Sequence, residues 1–85
     1  MTKYQKTFAE VLRGTSDNNI RFQDLCSLLK NLGFDERVKG SHRIYWRDGV
    51  EEIVNIQPLP DGKAKAYQVR QIRQIIQRYG IGEEE

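Results

Sequence analysis

Apolar positions recur at helical spacing in three stretches of this chain and at strand spacing between the last two. Tyr4, Phe8, Val11 and Leu12 fall at offsets of four, seven and eight, one apolar stripe of a helix running from Lys3 to Leu12. Gly14 closes that helix, and Thr15-Ser16-Asp17-Asn18-Asn19 reads as a turn-forming linker. A second helix is predicted from about Arg21, with Asn18 or Asn19 as its N-cap. Phe22, Leu25, Cys26, Leu28, Leu29 and Leu32 form its broad apolar face, and Gly33 ends it.

Three short strands follow. Phe34, Glu36 and Val38 alternate with Asp35, Arg37 and Lys39; after Gly40, His42, Ile44 and Trp46 alternate with Arg43, Tyr45 and Arg47. Asp48-Gly49 signals a hairpin, and the return strand spans about Glu52 to Gln57, with Val54 and Ile56 inward and Ile53 and Asn55 opposite. Pro58-Leu59-Pro60-Asp61-Gly62 breaks the pattern. The last helix is predicted over Tyr67 to Tyr79 on Val69, Ile72, Ile75, Ile76 and Tyr79, with Gly80 as its stop. The fold class expected is α+β. Without its first helix the order is α-β-β-β-α, that of the double-stranded-RNA-binding fold, in which a three-stranded antiparallel sheet carries helices on one face. Order of elements does not by itself fix function.

Composition narrows the setting. Eighty-five residues make a single domain, divided here into an extra N-terminal helix and linker (1–19), a core (20–82) and an acidic tail (83–85). The 38% apolar and 31% charged residues suit a folded, soluble protein. No apolar run approaches the roughly 18 residues of a membrane span and no signal peptide is visible, so a cytoplasmic location without membrane contact is expected. The single Cys26 excludes an internal disulfide, fits a reducing compartment, and reads as a packed thiol. Of twelve acids three are the terminal Glu83-Glu84-Glu85, against fourteen Lys and Arg; the rest of the chain is therefore basic, a mild preference for a polyanion.

The candidate chemistry gathers at Lys39-Gly40-Ser41-His42-Arg43-Ile44-Tyr45-Trp46-Arg47, which holds the only histidine and the only tryptophan. Histidine is the side chain whose unperturbed pKa lies near neutrality. Cations beside it can hold a phosphate backbone and aromatics can stack on bases. One histidine and one distant cysteine offer no metal-ligand cluster, and no cofactor is expected. Ser41 lacks the following acid of a nucleophilic triad.

Leu29-Lys30-Asn31-Leu32-Gly33-Phe34, then Lys39-Gly40-Ser41-His42-Arg43-Ile44-Tyr45, then a proline after the third strand and Ile75-Ile76-Gln77-Arg78-Tyr79-Gly80-Ile81 together resemble the HicA toxin family. The resemblance covers roughly Phe22 to Ile81. It implies a toxin of a type II toxin–antitoxin pair, a metal-independent endoribonuclease acting on messenger RNA, neutralised by a HicB-like antitoxin that covers its active face. The family's catalytic histidine falls on His42. Such cleavage needs a base for the 2′-hydroxyl, an acid for the departing 5′-oxygen and positive groups around the phosphorus. His42 is assigned as base or acid, the choice left open. Lys39, Arg43, Lys63 and Lys65 are candidate RNA-binding and charge-stabilising groups, Gly40, Ser41 and Tyr45 further RNA contacts. Many members carry a second histidine shortly after that proline; here Pro58 is followed by Leu59-Pro60-Asp61, so its role has no counterpart. The first helix lies outside the resemblance.

Blander readings stand beside these. His42 shares strand phase with Ile44 and Trp46, so spacing alone favours a core histidine, and the resemblance reverses that order. Trp46 is assigned to the core rather than to base stacking. Arg43, Tyr45 and Arg47 could equally form a solvated sheet face, and Arg70 and Arg73 an exposed helix face. Two further functional classes remain open: a non-catalytic RNA-binding module of the same fold, and a protein-interaction domain.

Overall fold

The chain alternates a helical pair, a three-stranded meander and a closing helix, as the apolar pattern requires. The computed structural model describes residues 2–82; the expected acidic tail at 83–85 lies outside them. Helix α1 spans Lys3–Arg13, a short 3-10 turn Asp17–Asn19, α2 Phe22–Asn31, β1 Asp35–Lys39, β2 His42–Trp46, β3 Val54–Ile56 and α3 Ala66–Tyr79. The strands form one antiparallel sheet in the order β1-β2-β3.

Helix α1 begins in a capping box. The Thr2 hydroxyl accepts from the Gln5 amide at 3.1 Å, and the Gln5 side chain accepts from the Thr2 amide at 3.0 Å, pairing two N–H groups the helix leaves unbonded. Val11 and Thr7 are buried, with Tyr4, Phe8 and Leu12 packed at the margin of the core. The close of the chain returns to this helix. At Gly82 a Cβ would lie 2.8 Å from the Phe8 ring and 3.1 Å from Leu32, so only glycine fits.

The second helix starts differently from expectation. Asn18 and Asn19 do not cap it; they belong to the 3-10 turn, and Arg21 is the N-cap residue with no side-chain bond. The Phe22 amide is satisfied instead by the Gly62 carbonyl at 3.0 Å, and Ala64 donates to the Ile20 carbonyl at 2.8 Å. The Pro58–Gly62 loop thus anchors the start of α2. At the far end of the sheet, Asp48-Gly49 does form a turn, closed by the Val50 amide on the Arg47 carbonyl at 3.0 Å. Pairing resumes only at Tyr45↔Val54, so the expected return strand shortens to three residues. Glu52 explains the detour: it accepts from the Tyr79 hydroxyl at 2.7 Å and from Arg78 at 2.8 Å, tying the loop to the end of α3.

The core lies between the helices and one face of the sheet. Leu25, Leu28 and Leu29 of α2 and Val69, Ile72, Ile75 and Ile76 of α3 meet Phe34, Tyr45, Val54 and Ile56. The β2 phase is the reverse of the expected one. Tyr45 is fully buried, whereas Trp46 is 38% exposed. His42, Ile44 and Trp46 therefore point to the open face.

Arg73 also departs from the exposed-face reading. It donates to both Asp17 carboxylate oxygens at 2.9 and 3.2 Å and to the Val11 carbonyl at 3.1 Å. Both side chains are largely buried, at 17% and 12% exposure. One guanidinium thus joins α3 to the end of α1 and to the linker. Arg73→Met leaves Asp17 without its partner, and is expected to destabilise by about 2–3 kcal/mol. A fall in melting temperature of roughly 10–20 °C in a thermal denaturation scan would register that loss.

Candidate active site on the open sheet face

The β1–β2 connection is a two-residue hairpin. Lys39 and His42 pair directly, with Gly40 and Ser41 between them. Gly40 has φ of +61°, and among the described residues no non-glycine has a positive φ. A positive φ at the first central position alone is the type II′ pattern, which asks for glycine there. This turn sets His42, an exposed side chain, at the mouth of the open face, and places Lys39 on the same face because directly opposed residues share one.

Across the sheet His42 meets Asn55. Register pairs Asn55 with Ile44, so Asn55 is the diagonal neighbour of His42, within side-chain reach. The imidazole Nδ1 and Asn55 Oδ1 lie 3.0 Å apart. Gln57, the next open position along the chain, donates from Nε2 to the Ser41 hydroxyl at 3.0 Å. Both supports converge on Gln68 of α3. Its Oε1 accepts from the Gln57 amide at 3.3 Å and its Nε2 donates to the Asn55 carbonyl at 3.3 Å. Sequence reasoning passed over all three. Asn55 was visible as an outward residue of the third strand, but a lone amide carries no motif.

The remaining predicted residues divide. Lys39, Gly40, Ser41 and His42 form one cluster. Arg43 faces the helices: its guanidinium bonds Glu36 at 3.2 Å and lies over the Phe22 ring at 5.9 Å. It belongs to the opposite side of the sheet from His42. Tyr45, expected to touch RNA, is a correction, for a side chain at 0% exposure cannot stack on a base. Lys63 donates its ammonium to Asn19 at 3.3 Å, beside the start of α2. Lys65 sits at the N-cap of α3. A cleft of about 400 Å³ opens on the helix side of the hairpin, lined by Phe22, Val38, Ser41, Arg43, Pro58 and Leu59 among others. Pro58 is the proline after which the resemblance leads one to look for a second histidine, and Leu59 follows it. Among the described residues no group of three His, Cys, Asp or Glu side chains is placed to hold a metal ion.

Beneath the hairpin lies a polar knot. The Tyr45 hydroxyl donates to Glu36 at 2.5 Å, and Arg43 and Lys30 add 3.2 and 3.8 Å contacts. The Tyr45 hydrogen bond, then that of Arg43, holds the Glu36 carboxyl below its usual 4.5 despite partial burial. Burial pushes the neighbouring Cys26 thiol up, as befits a packed cysteine. A carboxyl depressed in the folded state stabilises above its unfolded value, and that stability is lost as pH falls through the folded value. Urea titrations across a pH series are therefore expected to show wild type losing its advantage over Glu36→Gln below about pH 4.5. A constant gap at all pH values would contradict this.

A family model described as the HicA toxin of bacterial toxin–antitoxin matches residues 22–81. The chain belongs to that family. As a HicA-family member it is the toxin of a toxin–antitoxin pair, and its counterpart is an antitoxin. The match takes in α2, the whole sheet and α3, and it begins after α1. No curated protein and no solved structure matches the chain. No helix among the described residues is long and apolar enough to cross a membrane.

Proposed function

We propose that this HicA-family chain is an endoribonuclease that cuts messenger RNA without a metal ion, with His42 moving the proton. The observation that carries the reading is the lone histidine of the chain standing solvent-exposed on an unobstructed sheet face, at a glycine turn, with Lys39 beside it. The HicA family is in general one of endoribonuclease toxins, which supports the class of reaction.

In the proposed reaction the 2′-oxygen loses its proton and attacks the adjacent phosphorus. The bond from phosphorus to the 5′-oxygen breaks, and that oxygen takes a proton from an acid or from water. The products are a 2′,3′-cyclic phosphate and a 5′-hydroxyl, and DNA lacks the nucleophile. Lys39 is placed to offset the charge that builds on the phosphoryl oxygens. Ser41 lies between the open face and the cleft behind the hairpin, so RNA crossing the turn would pass it. The same face is where a HicB-like antitoxin would silence the enzyme, and messenger RNA places the work in the cytoplasm.

Purified protein incubated with a defined single-stranded RNA in EDTA tests this. The expected products carry cyclic phosphate and 5′-hydroxyl ends, resolved by mass spectrometry. Binding without any cut product would instead establish an RNA-binding module, a reading that the missing second histidine keeps alive.

A further inference from the structure

On the open face, which also carries Lys39, the imidazole ring is already engaged. His42 meets Asn55 through Nδ1, at 3.0 Å from the amide oxygen Oδ1. With Oδ1 as the amide atom that faces the ring, an oxygen with lone pairs and no hydrogen, the hydrogen between the two atoms sits on Nδ1. In a neutral imidazole the other nitrogen then carries the lone pair. The atom left free to accept a proton from a substrate is Nε2.

What holds Asn55 still is Gln68. This side chain is 5% exposed, and an unmet amide there would be costly. Besides a bond from Nε2 to the Tyr67 hydroxyl at 3.4 Å, it makes two to main-chain groups whose roles admit no choice. The Gln57 N–H can only donate, so it faces Oε1; the Asn55 carbonyl can only accept, so it faces Nε2. The amide therefore reads the outer edge of β3 as a neighbouring strand would. It fixes the backbone on both sides of Ile56, and the two side chains attached there, Asn55 and Gln57, reach back to His42 and Ser41. A buried glutamine on α3 thus sets both contacts to the histidine hairpin.

We propose that Asn55, held in register by Gln68, is the positioning residue of His42: it selects the Nδ1–H tautomer and leaves Nε2 as the general base that takes the 2′-hydroxyl proton. The assignment of Nε2 as a base rests on the endoribonuclease reading; the tautomer does not. Free histidine in water favours the opposite tautomer, with hydrogen on Nε2, so the selection is measurable.

Because the chain has one histidine, long-range proton–nitrogen correlation spectra of ¹⁵N-labelled protein need no assignment. At mildly alkaline pH, with the ring neutral, wild type is expected to show a protonated Nδ1 and an unprotonated Nε2. Asn55→Ala, at an exposed position, is expected to revert to Nε2–H with its backbone spectrum otherwise preserved. Asn55→Asp, which keeps an acceptor oxygen, is expected to retain Nδ1–H. Cleavage should fall by about 10- to 100-fold in Asn55→Ala and recover in part in Asn55→Asp. An Nε2–H tautomer in wild type, or one unchanged by Asn55→Ala, would overturn the proposal. Those spectra decide the positioning of His42 whether or not RNA is cut, while the products made by wild type decide the endoribonuclease reading separately.

Discussion

Tyr45→Ala is expected to destabilise the protein by about 3–5 kcal/mol, whereas Trp46→Ala, one residue on, should leave the melting temperature within a few degrees of wild type. Tyr45 is at 0% exposure among Cys26, Glu36 and the helices, so truncation removes a whole ring from the core. The loss includes the 2.5 Å bond to Glu36, leaving a half-buried carboxylate with one partner fewer. A domain of this length has about 4–13 kcal/mol in total, so the variant is expected to be largely unfolded or close to it at 37 °C. Tyr45→Phe separates the two contributions: it keeps the ring and is expected to lose only about 1–3 kcal/mol. Urea denaturation followed by circular dichroism measures all three. Equal stability of the Tyr45→Ala and Trp46→Ala proteins would mean that β2 presents its other face to the helices.

That phase is where the sequence was hardest to read, and the reason is physical. On hydrophobicity, Ile44 and Trp46 outweigh Arg43 and Tyr45, so period two points the wrong face of this strand inward. The deciding contacts are remote. Glu36 on β1 receives the Tyr45 hydroxyl and the Arg43 guanidinium, while the Phe22 ring on α2 lies beneath that guanidinium. Two polar side chains can face a core only because partners from other elements satisfy them there. Nothing local announces this. Arg73 fell outside sequence reach for the same cause, since its partner Asp17 is 56 residues away in a linker.

The elements themselves were legible wherever one stripe dominates. In α3, Val69, Ile72, Ile75 and Ile76 recur at helical spacing with glutamines and arginines between, and the helix forms one residue earlier than expected. Gly14 and Gly80 stop their helices as anticipated. In the site, the Gly40-Ser41-His42 turn was readable because its geometry depends on residues adjacent in sequence. Asn55, Gln57 and Gln68 were not, because ordinary amides gain their role only when register and helix packing bring them to the same hairpin. The local turn was visible, and the amides that meet it come from tertiary packing.

His42→Ala tests the chemistry with the fold held constant. The side chain is exposed, and its hydrogen bond among the described residues is to Asn55, so its removal leaves no buried cavity, and the melting temperature is expected to stay near that of wild type. General acid–base catalysis contributes typically 10²–10⁴-fold, so RNA cleavage should drop by about that factor. In the proposed reading, affinity for uncut RNA rests instead on phosphate contacts such as that assigned to Lys39, and is expected to change little while keeping its salt dependence. In cells, wild type expressed from a tight inducible promoter without an antitoxin is expected to arrest growth as messenger RNA is lost, and His42→Ala to permit growth. Equal arrest by both folded proteins would remove His42 from the mechanism and leave the toxicity to be explained by another surface. No arrest by either, with both proteins accumulated and RNA still bound in vitro, would leave a HicA-family fold that binds without cutting. The single histidine makes the comparison sharp, because no second imidazole is present to take over the proton.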